Sequence, residues 1–463
     1  MSTGLRPQDL VERALQASTT DGCVVLLEQS TSANLRWANN TLTTNGVMQR
    51  QELTVVATVD GAEGVAAGVV TRSSSTLDQA RDIVAAAEEA ARRAGPAEDA
   101  QALPLGGQSP DWDDAPGETS ITVFEQFAPR LGSAFEQARS EDRILYGYVE
   151  HDVTTTYLGS STGQRRRHAQ PTGHVGVTGK DTSLTRSAWV GAASKDFSDV
   201  DPIALDAELA RRLAWARRTV DLPAGRYDTV LPPTAVADLA IYAYWSAAAR
   251  DAHEGQSVYS EPSGGTRVGQ RLSPRPVRMY SDPAYPGLEC APFVIAHSSA
   301  ATTSVFDNGL DLTATDWIRD GELAALLQTR HSAQMTSLAP TPIIDNLVIS
   351  VDEGAGSLDD VVAQVDRGLL LTCTWYIRAV DEQTLLLTGL TRDGVYFVEG
   401  GEVTAAVNNF RFNESPIDVL GRFSAASGTV PTFSREWGDY FPRTAMPALR
   451  VPDFNMSSVS PAS

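Results

Sequence analysis

Three cysteines in 463 residues, Cys23, Cys290 and Cys373, are too few and too far apart for a disulfide framework. No C-x-x-C pair is present, so they read as reduced thiols in a packed core. Basic charge is also short: 37 Lys and Arg stand against 58 Asp and Glu, a net of −21. That balance repels a phosphate backbone and argues against nucleic acid as a direct partner. Long apolar runs are missing as well. The longest nearly apolar run, Leu239–Ala249, falls far short of the ~20 residues that cross a bilayer. The start, MSTGLRPQDL, has neither a basic region ahead of an apolar core nor a twin-arginine pair. A cytoplasmic protein with no membrane partner is the expectation.

A fourth absence decides a metal question. The stretch Arg250-Asp-Ala-His-Glu-Gly-Gln-Ser-Val-Tyr-Ser260 carries a His-Glu pair, the start of a zinc-peptidase helix. Such a helix needs a second histidine one turn on, on the same face, so that two imidazoles hold the metal while the glutamate polarises its water. Positions 257 and 258 hold Ser257 and Val258. His253-Glu254 is therefore not a metal site by itself.

What is present is ample apolar material, 42% of the chain, enough for two or three packed domains. Residues 6–17 pattern as a short helix, and Cys23–Leu27 and Leu53–Val59 as strands. Asp60-Gly61 reads as a turn into a strand over Gly64–Val70, and Thr76-Leu-Asp-Gln79 as a capping box opening a helix that Gly95-Pro96 closes. Residues 1–95 thus form an expected N-terminal α/β unit, and the Pro- and Gly-punctuated tract 96–119 an expected linker or long surface loop, the most mobile internal segment. A β-rich central domain follows over 120–221, with a helix capped by Asp201-Pro202. Strand-and-turn material over 222–453 makes the C-terminal domain, and 454–463 a tail. The fold class expected is α+β.

Other candidate chemistry reduces to packing. Gly173-His-Val-Gly-Val-Thr-Gly-Lys180 lacks the glycine and hydroxyl positions of a phosphate loop, holding His174 and Asp181 there, and reads as strand and turn. Cys290 and His297, seven residues apart, would point to opposite faces of a strand and read as core. Arg165-Arg-Arg-His168 is a basic cluster in an acidic chain. It reads either as a solvated strand face or as a docking surface, Arg165, Arg166 and Arg167 then contacting an acidic partner or a peptide carboxylate.

Several blocks, in order, resemble the TldD/PmbA family. They are Arg36-Trp-Ala-Asn-Asn-Thr-Leu-Thr43 with Thr58-Val-Asp-Gly61, Leu222-Pro-Ala-Gly-Arg-Tyr227, Ser281-Asp-Pro283 and Trp317-Ile-Arg-Asp-Gly-Glu-Leu323. Asp345-Asn-Leu347, Asp366-Arg-Gly-Leu369, Asn408-Asn-Phe-Arg-Phe-Asn-Glu-Ser-Pro416 and Pro447-Ala-Leu-Arg-Val451 continue the series. The resemblance implies a sandwich-like N-terminal domain, a curved, mainly antiparallel C-terminal sheet, and one half of a paired zinc peptidase acting on unfolded peptides. In the zinc-bearing subunit the metal lies on an H-E-x-x-x-H helix with a cysteine further on. Matching Glu254-Gly255 to the family's Glu-Gly places the two histidine positions on Ser246 and Asp251 and the glutamate position on Ala247, and no cysteine follows Cys373. Phe306-Asp-Asn-Gly309 departs from the family pattern as well.

What the resemblance implies is a subunit with no catalytic residue and no metal of its own, zinc being held by a TldD-like partner, with His253 and Glu254 as candidate substrate or partner contacts. Two alternatives stay open: a stand-alone peptide-binding or interaction protein of gyrase-modulator type, or an enzyme remodelled around Asp251, His253 and Glu254.

Overall fold

The computed structural model describes residues 5–73, 76–392 and 394–461, and is a mixed α+β protein. Its N-terminal half is one antiparallel six-stranded sheet in the order β3-β2-β1-β4-β5-β6. The strands are β1 (Gly22–Ala38), β2 (Thr41–Gly61), β3 (Gly64–Ser73), β4 (Arg143–Ser160), β5 (Arg165–Asp181) and β6 (Ser187–Ser194). Four helices cover one face: α1 (Pro7–Ala17), α2 (Leu77–Arg93), α3 (Phe127–Ser140) and α4 (Pro202–Trp215).

Side-chain alternation explains the layering. Cys23, Val25, Leu27, Leu53 and Val55 pack under α1 and α2. Further along the same face, Leu35, Trp37, Val149 and Val177 pack with α3 and α4. The opposite face presents Val24, Leu26, Val56 and Leu158 to Phe293, Val305 and Phe306 of the C-terminal half. The start of β1 is therefore buried on both sides, and its apolar run is unbroken for that reason. The capping box forms as expected, with Thr76 and Gln79 satisfying each other's backbone N–H groups.

The boundaries expected at 95 and 120 do not separate two sheets. β1 pairs with β4 from Val24↔Ser160 to Trp37↔Gly147, so material before and after the Pro- and Gly-rich tract forms one hydrogen-bonded layer. Nor does 96–119 hang free. Ala97 N donates to Val65 O (2.8 Å), Arg165 N to Gly107 O (2.8 Å) and Ser109 N to Arg165 O (2.8 Å). Trp112 is buried, and Gln8 Nε2 donates to the carbonyls of both Trp112 (2.9 Å) and Asp114 (2.8 Å). The tract is a strap docked on the sheet, its prolines and glycines suiting an irregular path with satisfied backbone groups.

The C-terminal half wraps two sheets around one helix, α5 (Pro233–Trp245). A ten-stranded, mainly antiparallel sheet contributes Leu231, Leu369, Phe410, Phe412 and Val451 to the core, and a six-stranded one Met279, Ile318, Leu347 and Ile349. α5 is apolar nearly all round, as a helix enclosed on every side must be. The last strand runs Leu449–Val459, so most of the segment expected as a tail is sheet. No helix among the described residues is long and apolar enough to cross a membrane.

Candidate functional site

The positions singled out in the sequence meet at the C-terminal end of α5. The helix stops at Trp245, with Ser246 as its C-cap, and a separate five-residue helix, α6 (Ala249–His253), follows. No glycine or proline forces this break. Leu327 does: its N–H donates to Ala247 O (2.8 Å) and its carbonyl accepts from Ala249 N (2.9 Å), so the link pairs like a strand. Ser246, Ala247 and Asp251 consequently do not share a helical face. Ser246 Oγ donates to Tyr242 O (2.9 Å), Ala247 is buried, and Asp251 lies on α6. Burial, with the charge of Glu254 adding to it, raises the Asp251 carboxyl above its ordinary range.

His253 and Glu254 are exposed beyond it. Glu254 accepts from Arg250 Nε (3.0 Å), and Arg250 also grips Glu98 of the strap (2.9 Å). This corner is a clasp between the strap and α6.

Beside Trp245 lies a cleft of about 340 Å³, lined by Phe293, Ser304, Thr329, Asp345 and Tyr440 among others. Its wall includes the Phe306–Gly309 segment, whose polar groups are all turned inward. Asp307 accepts from Arg330 Nε (2.6 Å) and Arg330 N (3.1 Å). Asn308 clamps both the N–H (2.7 Å) and the carbonyl (2.9 Å) of Ala296. The segment is a structural knot.

Two sequence expectations need correction here. Arg165, Arg166 and Arg167 lie on β5 and are committed within the chain, to Glu12, to Asp311 (2.8 Å) and to Asp111 (2.6 Å). Strand alternation sends them to both faces, where separate acids meet them, so they form no single docking surface. Cys290 and His297 do not lie on a strand. Cys290 is buried, while His297 crosses to the N-terminal sheet, with Nδ1 3.2 Å from Thr54 Oγ1 and Nε2 3.5 Å from Glu28. The Glu28 carboxylate raises the His297 pKa against the opposing effect of burial.

Residues 224–458, slightly more than half of the sequence, match the family model described as the PmbA/TldA metallopeptidase C-terminal domain. The chain belongs to the PmbA/TldD metallopeptidase family. Among solved structures it is similar to TldE from Thermococcus kodakarensis, at 14% identity and a TM-score of 0.75 over 97% of this chain and 99% of that one. It is also similar to candidate modulators of DNA gyrase from Thermotoga maritima (16%, TM-score 0.76, 97% and 99% covered) and Bacteroides thetaiotaomicron (13%, 0.74, 98% and 98%). At these identities the likeness shows the fold. A comparison with curated proteins finds no match.

A metallopeptidase family implies a metal, and the residues at this PmbA/TldD chain's corresponding positions do not fit one. A hydroxyl donating to a backbone carbonyl, a methyl group and one half-buried carboxyl on a separate helix are not a converging donor set. Burial holds the thiols of Cys23 and Cys290 protonated, at about 11 and about 12. Among the described residues no three His, Cys, Asp or Glu side chains come together as a metal site.

Sequence reading missed the most organised polar group of this half, Asp238. It is wholly buried on α5, with Oδ2 accepting from Thr374 Oγ1 and Oδ1 from Ser434 Oγ (2.5 Å) and Glu436 N (2.9 Å). Burial pushes its carboxyl up to about 6, against the pull of those three donors. The signal was available: Asp238 is the one charged residue in the Pro233–Trp245 run, and a lone carboxylate on an enclosed helix must have partners.

Proposed function

We propose that this chain is the non-catalytic, TldE-like subunit of a cytoplasmic two-chain metallopeptidase that acts on unfolded peptides, the zinc and its ligands residing in a TldD-like partner. The observation that carries this reading is the interruption at Ser246–Ala248, which puts the positions matched to the family's metal helix, Ser246, Ala247 and Asp251, on different elements with no converging donor set. An amide bond is too inert to be cut at a useful rate by binding and orientation alone, so hydrolysis falls to the partner. This chain contributes shape. The cleft beside Trp245, with the exposed ring of Tyr440 at its edge, suits an extended peptide better than a folded domain.

The test is reconstitution with casein or a leader peptide as substrate. The chain alone should be inactive, and activity should appear with an H-E-x-x-x-H-bearing partner that co-elutes with it. Chelator-sensitive cleavage by this chain alone, lost on Glu254→Ala, would favour the remodelled-enzyme reading.

A further inference from the structure

Asp238 does more than hold a loop: it presents a cation that makes no ion pair among the described residues. The segment Phe433-Ser-Arg-Glu-Trp437 is fastened to α5 on both sides of Arg435. Ser434 Oγ and Glu436 N donate to the Asp238 carboxylate, Trp437 N donates to Ser434 Oγ (2.9 Å), and Trp437 Nε1 donates to Asp238 O (2.9 Å). The backbone of Arg435 is therefore anchored on both sides.

Its side chain is pinned as well. The guanidinium carbon lies 4.8 Å from the centre of the Trp189 ring on β6 and 4.0 Å from that of Trp375 in the C-terminal sheet. Two indole rings, one from each half of the molecule, lie against the charge.

Other arginines of this half have carboxylate partners, as Arg330, Arg443 and Arg450 do. Arg435 makes no ion pair or hydrogen bond among the described residues, and its Nε and the adjoining Trp375 Nε1 are buried donors without acceptors. The acid next to it, Glu436, feels the Arg435 charge but makes no ion pair with it, its Oε1 accepting from Ile377 N (3.0 Å).

Beside these indoles, Tyr376 is held at φ 53° and is 60% exposed, its ring edge-on to Trp375 at 5.5 Å. A bulky residue adopts left-handed backbone only where its surroundings impose it, and such strain gathers at binding sites. The same loop carries Tyr440 and Phe441 into the cleft beside Trp245.

We propose that Arg435, framed by Trp189, Trp375 and Tyr376, is a binding site for a carboxylate group of a peptide. A guanidinium offers two parallel N–H donors that match a carboxylate, and indoles packed against it limit the water that competes. Because Tyr440 and Phe441 belong to the same loop, a peptide anchored at Arg435 can continue into the cleft. The proposal rests on the peptide reading above, but its test does not need the zinc-bearing partner.

The experiment titrates the full chain, by tryptophan fluorescence and calorimetry, with a short acetylated Ala-Gly peptide bearing a free C-terminal carboxylate. The same peptide amidated, and the amidated peptide with one internal Glu, are the comparison arms. The free-carboxylate peptide should bind, and amidation should weaken it about ten-fold or more. Recovery with the internal Glu identifies a side-chain carboxylate as sufficient; no recovery identifies the C-terminal one. Arg435→Gln should lose binding to a similar extent, and Arg435→Lys should recover part of it. Absence of binding into the millimolar range, equal binding of the neutral amidated peptide, or a folded Arg435→Gln that binds unchanged would each overturn the proposal. Should Arg435→Gln fail to fold, the amidation arm on the native chain still decides. Reconstitution that fails while carboxylate-dependent binding persists would discard the subunit reading and leave this site standing.

Discussion

The break at Ser246–Ala248 and the loop Phe433–Phe441 both adjoin α5, and polar groups are used in opposite ways in the two places. At the break, Ser246 donates to a carbonyl, Glu254 pairs with Arg250 and His253 is exposed, while Asp251 is half-buried. At the loop, a fully buried carboxylate organises three backbone and side-chain donors and the guanidinium of Arg435 has no ion pair among the described residues. On the proposed reading, that difference separates holding a peptide from cutting one.

The largest effect expected is at Asp238. Asp238→Ala would leave Thr374, Ser434 and Glu436 N without their acceptor and should cost about 2–4 kcal/mol, read as a lower midpoint in urea unfolding. A loss below about 1 kcal/mol would mean that the loop is not built on α5.

Smaller and pH-dependent is Asp238→Asn, which keeps an acceptor for Ser434 and Glu436. Since the folded carboxyl titrates at about 6 against an ordinary 3.8, the folded state holds its proton more tightly. The penalty for ionising it is absent below pH 3.8 and grows as pH rises towards 6. Over that window the native chain should lose stability relative to Asp238→Asn, and parallel pH profiles of the two would contradict the assignment. His297 carries its own linkage. Its pKa is raised by Glu28, so the stabilisation is complete below 6.5 and fades as pH rises through the folded value. His297→Gln should remove that component, measurable as a flatter stability profile above pH 6.5.

Much of the local structure was legible, because local structure has local causes. The Thr76 capping box, the turn closing at Gly61 and Gly64, and the Asp201 cap with Pro202 behind it all form where residue chemistry puts them. The pairing of β1 with β4 joins segments far apart in sequence, which no window of residues reports. The strap looked like a linker because Pro and Gly suit both a mobile chain and an irregular docked one; Trp112, seated edge-on against Tyr157 at 5.8 Å, decides which. At the site, the missing histidines were legible and the helix break was not. Ser246-Ala-Ala-Ala249 favours helix by propensity, and only Leu327, brought in by the tertiary fold, pulls it apart. Arg435 was illegible for the same reason, since its two indoles come from different halves of the chain.

The smallest effects should fall at the break. Ser246→Ala and Asp251→Ala should each change stability by less than about 1 kcal/mol, because one removes a single hydrogen bond to a carbonyl and the other a half-buried acid that burial already disfavours. Chelator treatment of the isolated chain should leave its unfolding midpoint where it was, and elemental analysis should find no stoichiometric zinc. A metal-dependent midpoint would mean that the corner around Asp251 holds an ion after all.

The most direct measurement is the rate of chelator-sensitive peptide hydrolysis by this chain reconstituted with an H-E-x-x-x-H-bearing partner, comparing the native chain with an Asp251→Ala, Glu254→Ala double variant. The expected result is activity unchanged within about two-fold in the double variant and abolished when either partner histidine is replaced. Loss of hydrolysis in the double variant, with folding and partner binding intact, would place catalysis on this chain and contradict the account.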